Sequence, residues 1–337
     1  MRVSDLSYEL PADRIAQHPP AERDGGRLLV LPRRGGPTTH ARIRDLPSLL
    51  PARSLLVVND VRVDPVRVFG NRPTGGRVEM LVLERRGDAE FDALASANKP
   101  LRVGDPVNLP GGDTVHVAAI GDAGKTTFAG RIEPAIAAAG QVPLPPYIRR
   151  EPDEADHERY QTVYAREGGA VAAPTAGLHL SERLLSDLAA AGHGLARVWL
   201  AVGSGTFRPI RAESLDDHRM DEERYSVPAE TREAVAAARR EGRPIVAIGT
   251  TVVRTLESAA DGEGIPRAGD GRTSLFVRPP FDFRAVDALL TNFHLPRSTL
   301  LALVCAFAGT ERTLAAYREA VEHGYRFYSY GDAMLIG

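Results

Sequence analysis

The sequence predicts an α/β fold, in which a larger domain with a mostly parallel sheet carries an inserted domain of short antiparallel strands. Residues 147–337 alternate apolar strand patterns with amphipathic helix patterns, which is typical of a parallel sheet covered by helices. Residues 60–146 show alternating apolar and polar residues cut by glycine turns, which favours a small barrel or sandwich. We therefore predict an α/β domain over 1–59 and 147–337 and an inserted β domain over 60–146.

The composition is that of a globular protein without a strong charge bias. Hydrophobic residues make up 43% of the chain and the net charge is −2, so any nucleic-acid contact must come from a local patch. The lone cysteine, Cys305, excludes a disulfide framework and a cysteine-based metal site. The first residues lack a signal-peptide pattern, and no apolar run reaches the length of a membrane span. These features predict a cytoplasmic protein that does not bind membranes.

The first 59 residues hold two predicted strands and a short helical segment between them. Residues 28–31 are apolar and end at Pro32, which has no N–H to donate to a strand ladder. Residues 43–50 indicate a short helix or loop. Residues 55–58 form a buried strand pattern that runs into Asn59 and Asp60, and the carboxylate there is either a ligand contact or a turn cap.

The prediction for the insert depends on its period-two runs. These runs are 61–69, 77–83, 91–95, 114–120 and 127–132. The proline-rich segment 143–147 closes the insert as a stiff linker. The insert shows no cluster of catalytic side-chain types, so we expect it to grip or shape a large substrate, or to serve as a structural insert.

From residue 147 onward, predicted strands and helices follow one another. Apolar residues 170–173 end at Pro174, a turn of small residues carries His179, and Ser181 is the predicted N-cap of a helix over 182–191. The other predicted strands are 195–202, 244–248 and 286–290, and the other helices are 229–241, 252–260, a Ser298-capped helix to 307 and a Thr310-capped helix to 323.

Polar side chains collect in the turns that follow four of these strands. The four turns hold Thr175 and His179; Thr206 and Arg208; Thr250, Thr251 and Arg254; and Asn292, His294 and Arg297. In a parallel sheet such turns open on the same edge, so their hydroxyl, imidazole and guanidinium groups predict an enzyme cleft. The spacings match no dinucleotide, phosphate-loop or zinc motif, and a metal held by His179, His218 and His294 ranks below a metal-free site.

Two other features near these turns have simple structural explanations. Glu257 lies three residues after Arg254, which an ion pair within one helix explains. Core packing explains most of the aromatic segment 325–332, although Tyr330 and Asp332 are candidates for stacking and for proton transfer.

Several ordered motifs also give the chain a family resemblance. They are YELP near Tyr8, PLPPYI near Pro143, PTAGLH at 174–179, GTFRP at 205–209, GTTVVRTLES at 249–258, TNFHLPRSTLL at 291–301 and YRFYSYGDAMLI at 325–336. With these motifs the chain closely resembles the S-adenosylmethionine:tRNA ribosyltransferase-isomerases of the queuosine pathway, almost from end to end. The resemblance implies an α/β domain with an inserted β-barrel.

The resemblance also implies a reaction. Family members use S-adenosylmethionine as a ribosyl donor and act on 7-aminomethyl-7-deazaguanine at the tRNA wobble position. The products are epoxyqueuosine tRNA, adenine and methionine. S-adenosylmethionine is thus a co-substrate, and neither a metal nor another cofactor is expected. We expect the protein to be a monomer.

That reaction needs proton transfers, which suggest roles for residues in the polar turns. A base removes a proton from the ribose carbon next to the sulfonium, and adenine needs an acid to leave. His179 and His294, expected to have pKa values near neutrality, suit these steps. The predicted catalytic residues are His179, His294, Thr175 and Asp332. The predicted substrate-binding residues are Pro174, Gly177, Thr206, Arg208, Gly249, Thr250, Thr251, Arg254, Glu257, Asn292, Phe293, Arg297 and Tyr330.

Within this second set, three roles are more specific. Thr250, Thr251 and the helix N-terminus after them are expected to hold the methionine carboxylate or the ribose hydroxyls. Arg254 or Arg297 is expected to pair with that carboxylate. Phe293 and Tyr330 are expected to face a purine ring.

Departures from the usual family residues leave two alternatives open. The chain has Ala201 and Asp221 where the family usually has histidine, and residues 96–100 lack the usual arginines of the insert. Fewer arginines weaken a grip on tRNA phosphates. One alternative is an enzyme that uses S-adenosylmethionine on a small deazapurine or another acceptor. The other is a non-catalytic protein that binds nucleosides or RNA.

Overall fold

The protein divides into two compact units. A computed structural model describes residues 1–203 and 210–337. The α/β unit comprises Met1–Arg62, Pro146–Arg150 and Arg159–Gly337, and the barrel unit comprises Val63–Pro145 and Glu151–Glu158.

The strands and helices of the described residues are as follows. The strands are β1 Arg27–Leu31, β2 Thr39–Arg42, β3 Leu55–Asn59, β4 Val61–Val63, β5 Arg67–Asn71, β6 Arg77–Arg85, β7 Glu90–Ala97, β8 Pro106–Asn108, β9 Thr114–Ile120, β10 Lys125–Ala129, β11 Glu167–Ala170, β12 Gly194–Leu200, β13 Glu223–Val227, β14 Ile245–Ile248, β15 Gly269–Thr273, β16 Ala288–Asn292 and β17 Ala333–Ile336. The helices are α1 Leu46–Leu49, α2 Glu133–Ala139, α3 Glu154–Arg159, α4 Glu182–Ala190, α5 Ala229–Arg240, α6 Thr250–Ala259, α7 Thr299–Ala308 and α8 Thr310–Glu322.

A nine-stranded sheet in the order β15-β13-β12-β3-β14-β16-β17-β1-β2 runs through the α/β unit. Its central strands β12, β3, β14 and β16 are parallel, as are β17 and β1. The other four pairings are antiparallel, so the sheet is mixed rather than mostly parallel. The predicted fold class, an α/β domain with an inserted small β-barrel, is confirmed.

Both faces of the central sheet are buried. Leu55 and Val57 of β3 join a core that includes α5, α6 and α7, while Leu56 and Val58 join a core that includes α1 and α4. Burial on both faces explains why β3 is a continuous apolar run and not an alternating one. Polar side chains are therefore expected mainly where such strands end.

The barrel unit contains a closed barrel of six strands in the order β10-β7-β6-β5-β8-β9. All of its strand pairings are antiparallel. Val68, Val78, Met80, Phe91 and Phe128 are fully or almost fully buried. Because each strand has one buried and one exposed face, the alternation of apolar and polar residues made this unit recognisable in the sequence.

Helix starts test the predicted caps. Ser181 and Ser298 are confirmed as N-caps, since their hydroxyls accept hydrogen bonds from the N–H groups of Leu184 and Leu301 at 3.0 and 3.1 Å. The prediction for Thr310 is wrong, because Gly309 occupies the N-cap position and Thr310 is the first residue of α8.

In the part of the chain that the structure describes, no single helix is long and apolar enough to cross a membrane. α7 and α8, bent by 114° where they meet, pass that test only as a pair.

Candidate active site

The carboxyl ends of β14 and β16 and the turn before α4 line one cleft in the α/β unit. The described residues that line it are Ala173, Pro174, Thr175, Ala176, Val202, Gly249, Thr250, Thr251, Thr291, Asn292, His294 and Leu300. Seven residues of the predicted site are thereby brought together, namely Pro174, Thr175, Gly249, Thr250, Thr251, Asn292 and His294. The cleft lies where parallel strands end, as in other open α/β sheets.

Gly249 makes the turn from β14 into α6. Its φ of 99° lies in the left-handed region that favours glycine, and its N–H donates to the Leu290 carbonyl at 2.8 Å. α6 therefore starts at Thr250, beside the cleft. The first N–H groups of a helix have no partners within the helix, so this end carries partial positive charge and suits an anion.

Asn59, at the end of β3, holds three strand ends in place. Its Oδ1 accepts hydrogen bonds from the N–H groups of Val61 and Leu200 at 3.2 and 3.1 Å. Its Nδ2 donates to the Leu200 carbonyl at 3.1 Å and to Thr251 Oγ1 at 3.4 Å. The sequence pattern drew attention to the adjacent Asp60 carboxylate and not to this role of Asn59. The available signal was an amide at the end of a fully apolar strand.

His294 is buried in the cleft wall and is held by its backbone. Its N–H donates to Tyr317 Oη at 3.1 Å, and its carbonyl accepts a short hydrogen bond from Tyr8 Oη. Its Nε2 lies 2.8 Å from Thr291 Oγ1. Burial lowers the pKa of His294 to about 3, because the low-dielectric surroundings disfavour the imidazolium. The ring is therefore neutral at pH 7.

His179 lines a second cavity together with Ser329 and Tyr330. Asn292 Nδ2 donates to the Tyr328 carbonyl and to His179 Nε2, both at 3.0 Å. The carbonyl can only accept, which fixes the amide nitrogen on this side. His179 Nε2 is then the acceptor, and Nδ1 carries the proton.

The charge state of His179 differs from the sequence expectation. Burial lowers its pKa to about 4, partly offset by the attraction of the Asp332 carboxylate. The expectation that His179 and His294 have pKa values near neutrality is therefore wrong for both. Each ring is neutral at pH 7 and takes up a proton before it can give one.

Asn292 connects the cleft with the second cavity. It lines the cleft, contacts His179 and is 2% exposed. Its Oδ1 is buried and has no hydrogen-bond partner among residues 1–203 and 210–337. A buried acceptor without a partner is costly, so a ligand that donates a hydrogen bond here is favoured.

Arg254 and Glu257 do not pair with each other, because each side chain has other partners. The Arg254 guanidinium forms a buried ion pair with Glu223, and its Nε donates to the Leu275 carbonyl at 3.1 Å. Glu257 accepts hydrogen bonds from three backbone N–H groups, those of Arg284, Ala285 and Val286. The explanation of Arg254 and Glu257 as an ion pair within one helix is wrong. Glu223, which no sequence motif pointed to, also accepts from the Gly203 N–H at 2.8 Å.

Asp332 and Arg297 are not among the described residues that line the cleft, and both form hydrogen bonds elsewhere. The Asp332 carboxylate accepts from the N–H groups of Arg27 and Arg326, both at 2.8 Å, and lies 3.4 Å from Arg27 Nε. Arg297 is exposed, and its Nε donates to Ser7 Oγ at 2.8 Å. The structure therefore does not bring these two side chains to His294.

Of the two aromatic residues predicted to face a purine, Phe293 lies in the core and Tyr330 lines a cavity. Phe293 is fully buried against other rings, with centroids 5.0 to 5.6 Å away in Tyr317, Tyr325 and Phe327. Tyr330 lines the second cavity and stands edge-on to Tyr160 at 5.9 Å.

The other predicted site residues are Gly177, Thr206 and Arg208, and His218 was considered as a metal ligand. Gly177 is buried, and a Cβ there would lie 2.0 Å from Tyr164 Oη, so its small size serves packing. Thr206 and Arg208 lie outside the described residues. His218, considered as a metal ligand, packs edge-on against Phe276.

Comparison with known proteins gives consistent similarities over the whole chain. A family model described as queuosine biosynthesis protein matches residues 3–336. Proteins named S-adenosylmethionine:tRNA ribosyltransferase-isomerase from Anaeromyxobacter sp. (strain Fw109-5) and Sorangium cellulosum are 53% and 50% identical, covering 100% of this chain and 99% and 98% of theirs. A crystal structure of S-adenosylmethionine tRNA ribosyltransferase from Thermotoga maritima is 34% identical with a TM-score of 0.57, covering 99% of this chain and 100% of that one.

Proposed function

This chain belongs to the queuosine biosynthesis protein family, and on that premise we propose that its cleft binds S-adenosylmethionine and passes the ribosyl unit to tRNA. The chain is an S-adenosylmethionine:tRNA ribosyltransferase-isomerase. The proposed acceptor is 7-aminomethyl-7-deazaguanine at the wobble position, and the products are epoxyqueuosine tRNA, adenine and methionine. The observation that carries the proposal is the cleft in which a helix N-terminus, four threonines and the neutral His294 meet.

The start of α6 is the proposed site for the methionine carboxylate. Thr250 and Thr251 line the cleft and offer hydroxyl and backbone N–H donors at the positive end of a ten-residue helix. Arg254 and Arg297, the other candidates for this role, are engaged with Glu223 and Ser7. The helix end therefore replaces an arginine in the proposal.

His294 is the proposed base for the ribose proton next to the sulfonium. A neutral imidazole is required to accept a proton, and burial keeps His294 neutral. Its Nε2 is close to Thr291 Oγ1, while its Nδ1 makes no hydrogen bond to the described residues. The imidazolium formed at His294 then holds the proton that the leaving adenine must gain.

His179 is the proposed hydrogen-bond donor to the leaving adenine. Its Nε2 lone pair is taken by Asn292, so its Nδ1–H is the atom left to donate. Tyr330 lines the same cavity and is the proposed stacking partner for the purine. Asn292 Oδ1, without a described partner, is proposed to accept from a substrate amino or hydroxyl group.

One incubation tests the proposed reaction against the two alternatives. The protein is mixed with S-adenosylmethionine and tRNA that carries 7-aminomethyl-7-deazaguanine, and adenine release and the mass of the tRNA nucleoside are measured. We expect adenine together with the mass gain of one ribosyl-derived unit. Adenine release with the free base alone supports a small-molecule acceptor, and binding without adenine release supports a non-catalytic protein.

The remaining expectations are part of the same proposal. We propose that residues 60–146 act as the inserted domain that grips tRNA, that the protein works as a monomer in the cytoplasm, and that the reaction uses no metal. The salt dependence of tRNA binding tests the grip, because each phosphate contact steepens it. Light scattering of the protein with and without tRNA tests the monomer.

A further inference from the structure

A cluster of two histidines and a glutamate, residue types that ligate metals, lies outside both cavities. His40 of the edge strand β2 and Glu319 and His323 at the end of α8 each offer one ligand atom, and these atoms lie within 4.8 Å of one another. Glu319 and His323 are four residues apart, so they share one face of the helix end. We propose that this cluster is a binding site for a divalent transition metal such as Zn²⁺.

Each ligand is oriented by a neighbour, as in established metal sites. His40 Nδ1 lies 2.8 Å from Tyr325 Oη, which leaves Nε2 to face the cluster. Thr38 Oγ1 donates to both oxygens of Glu319 at 2.6 and 2.7 Å. His323 Nδ1 lies 2.9 Å from the Glu319 carbonyl, which leaves its Nε2 available. Such supporting hydrogen bonds fix the ring orientation and tautomer of metal-binding histidines.

The ligand atoms are already close to one another. His40 Nε2 and Glu319 Oε1 are 3.0 Å apart, and the two imidazole rings have centroids 4.5 Å apart with planes at 28°. The His40 side chain is 37% exposed and that of Glu319 is 30% exposed, so an ion has access and the side chains have room to adjust. Two imidazoles and one carboxylate favour Zn²⁺, Co²⁺ or Ni²⁺ over Mg²⁺ and Ca²⁺, which prefer oxygen ligands.

Nearby arginines do not occupy the site. Arg27 binds the carbonyls of His323 and Gly324 and lies 3.4 Å from Asp332, while Arg42 donates to the Gly25 carbonyl at 3.2 Å. Both guanidinium groups are therefore turned to backbone oxygens and a carboxylate. They line the same cavity as His40 and His323, so inorganic phosphate is the competing ligand that the experiment must include.

The test titrates the full chain, freed of any histidine tag, with Zn²⁺ by calorimetry and with Co²⁺ by visible absorption. We expect one ion per chain and the absorption of a tetrahedral Co²⁺ site. His40→Ala and His323→Ala should each weaken binding by about 100-fold, and Tyr325→Phe, which removes only the supporting hydroxyl, by about 10-fold. His116→Ala and His157→Ala, at exposed histidines elsewhere, are matched controls and should leave affinity unchanged.

Three results would overturn the proposal. They are no stoichiometric metal binding, equal affinity in His40→Ala and in the controls, or saturable binding of phosphate without binding of Zn²⁺. Thermal melting of each variant shows whether it is folded. Because the measurement needs neither S-adenosylmethionine nor tRNA, its outcome is independent of the proposed reaction.

Discussion

Two histidine turns of the α/β unit make an instructive pair. His179 and His294 both follow strand-like segments, and both become buried and neutral for the same reason, loss of solvation. They differ in their hydrogen bonds, since Asn292 occupies Nε2 of His179, whereas Thr291 lies at Nε2 of His294. Burial therefore sets the charge of each ring, and the neighbouring side chain sets which nitrogen meets the substrate. The variants below separate the proposed base from the proposed donor.

The largest effect is expected for His294→Ala. Loss of the proposed base should lower turnover by about 1,000-fold, within the range typical of general acid–base catalysis. Solvent deuterium should also fail to enter the C5′ position of recovered S-adenosylmethionine, because the proton is no longer removed. His218→Asn, at a histidine packed on Phe276, is the control. Turnover within a few-fold of the parent in a folded His294→Ala protein excludes the base role, and His294→Asn repeats the test if alanine impairs folding.

A smaller loss, about 100-fold, is expected for His179→Ala. The proposed donor acts after proton removal, so this variant should still exchange the C5′ proton with solvent while releasing adenine slowly. Deuterium content of recovered S-adenosylmethionine and the adenine release rate are measured in the same samples. If exchange is lost here and kept in His294→Ala, the two roles are reversed.

Asn292→Ala should cost less, about 10-fold in turnover, because it removes the hydrogen bond that orients His179 and leaves both rings in place. Nitrogen chemical shifts of the labelled His179 ring should change from one tautomer to a mixture of two. Thr299→Ala, at a buried residue outside the described cleft lining, is a control for side-chain removal. An unchanged tautomer together with lost activity means that the proposed contact of Asn292 Oδ1 with the substrate, and not the orientation of His179, causes the loss.

The smallest change in turnover is expected from pH. Both imidazoles are neutral above their lowered pKa values of about 4 and 3, so their protonation should alter turnover by less than about twofold between pH 6 and pH 8.

The free energy of unfolding, unlike turnover, should depend clearly on pH. As pH falls below about 6.5, the unfolded chain binds protons on these histidines that the native protein does not, so the free energy of unfolding decreases towards pH 4. Urea unfolding at several pH values measures this slope. The double variant His179→Asn with His294→Asn should flatten it, and His116→Asn should not. An equal slope in both variants contradicts the lowered pKa values.

Local patterns in the sequence were sufficient for most of the architecture. The continuous apolar run of β3, the alternation of the barrel strands and the serine caps at Ser181 and Ser298 all depend on neighbours within a few residues. The edge strand β15 and its neighbour β13 were not predicted. Glu223, Arg224 and Tyr225 in β13 and the glycines of β15 are weak strand patterns, and pairing with each other and with β12 makes them strands.

The order of residues along the chain was enough to show that polar turns follow the buried strands and that those turns carry His179, Thr250 and His294. Which of these side chains face the cleft depends on contacts between residues far apart in the chain. Arg254 meets Glu223, 31 residues away, and Asn292 meets His179, 113 residues away, and no local pattern encodes such pairs. The pKa values were decided in the same way, because desolvation depends on everything packed around a ring and not on its neighbours in the chain.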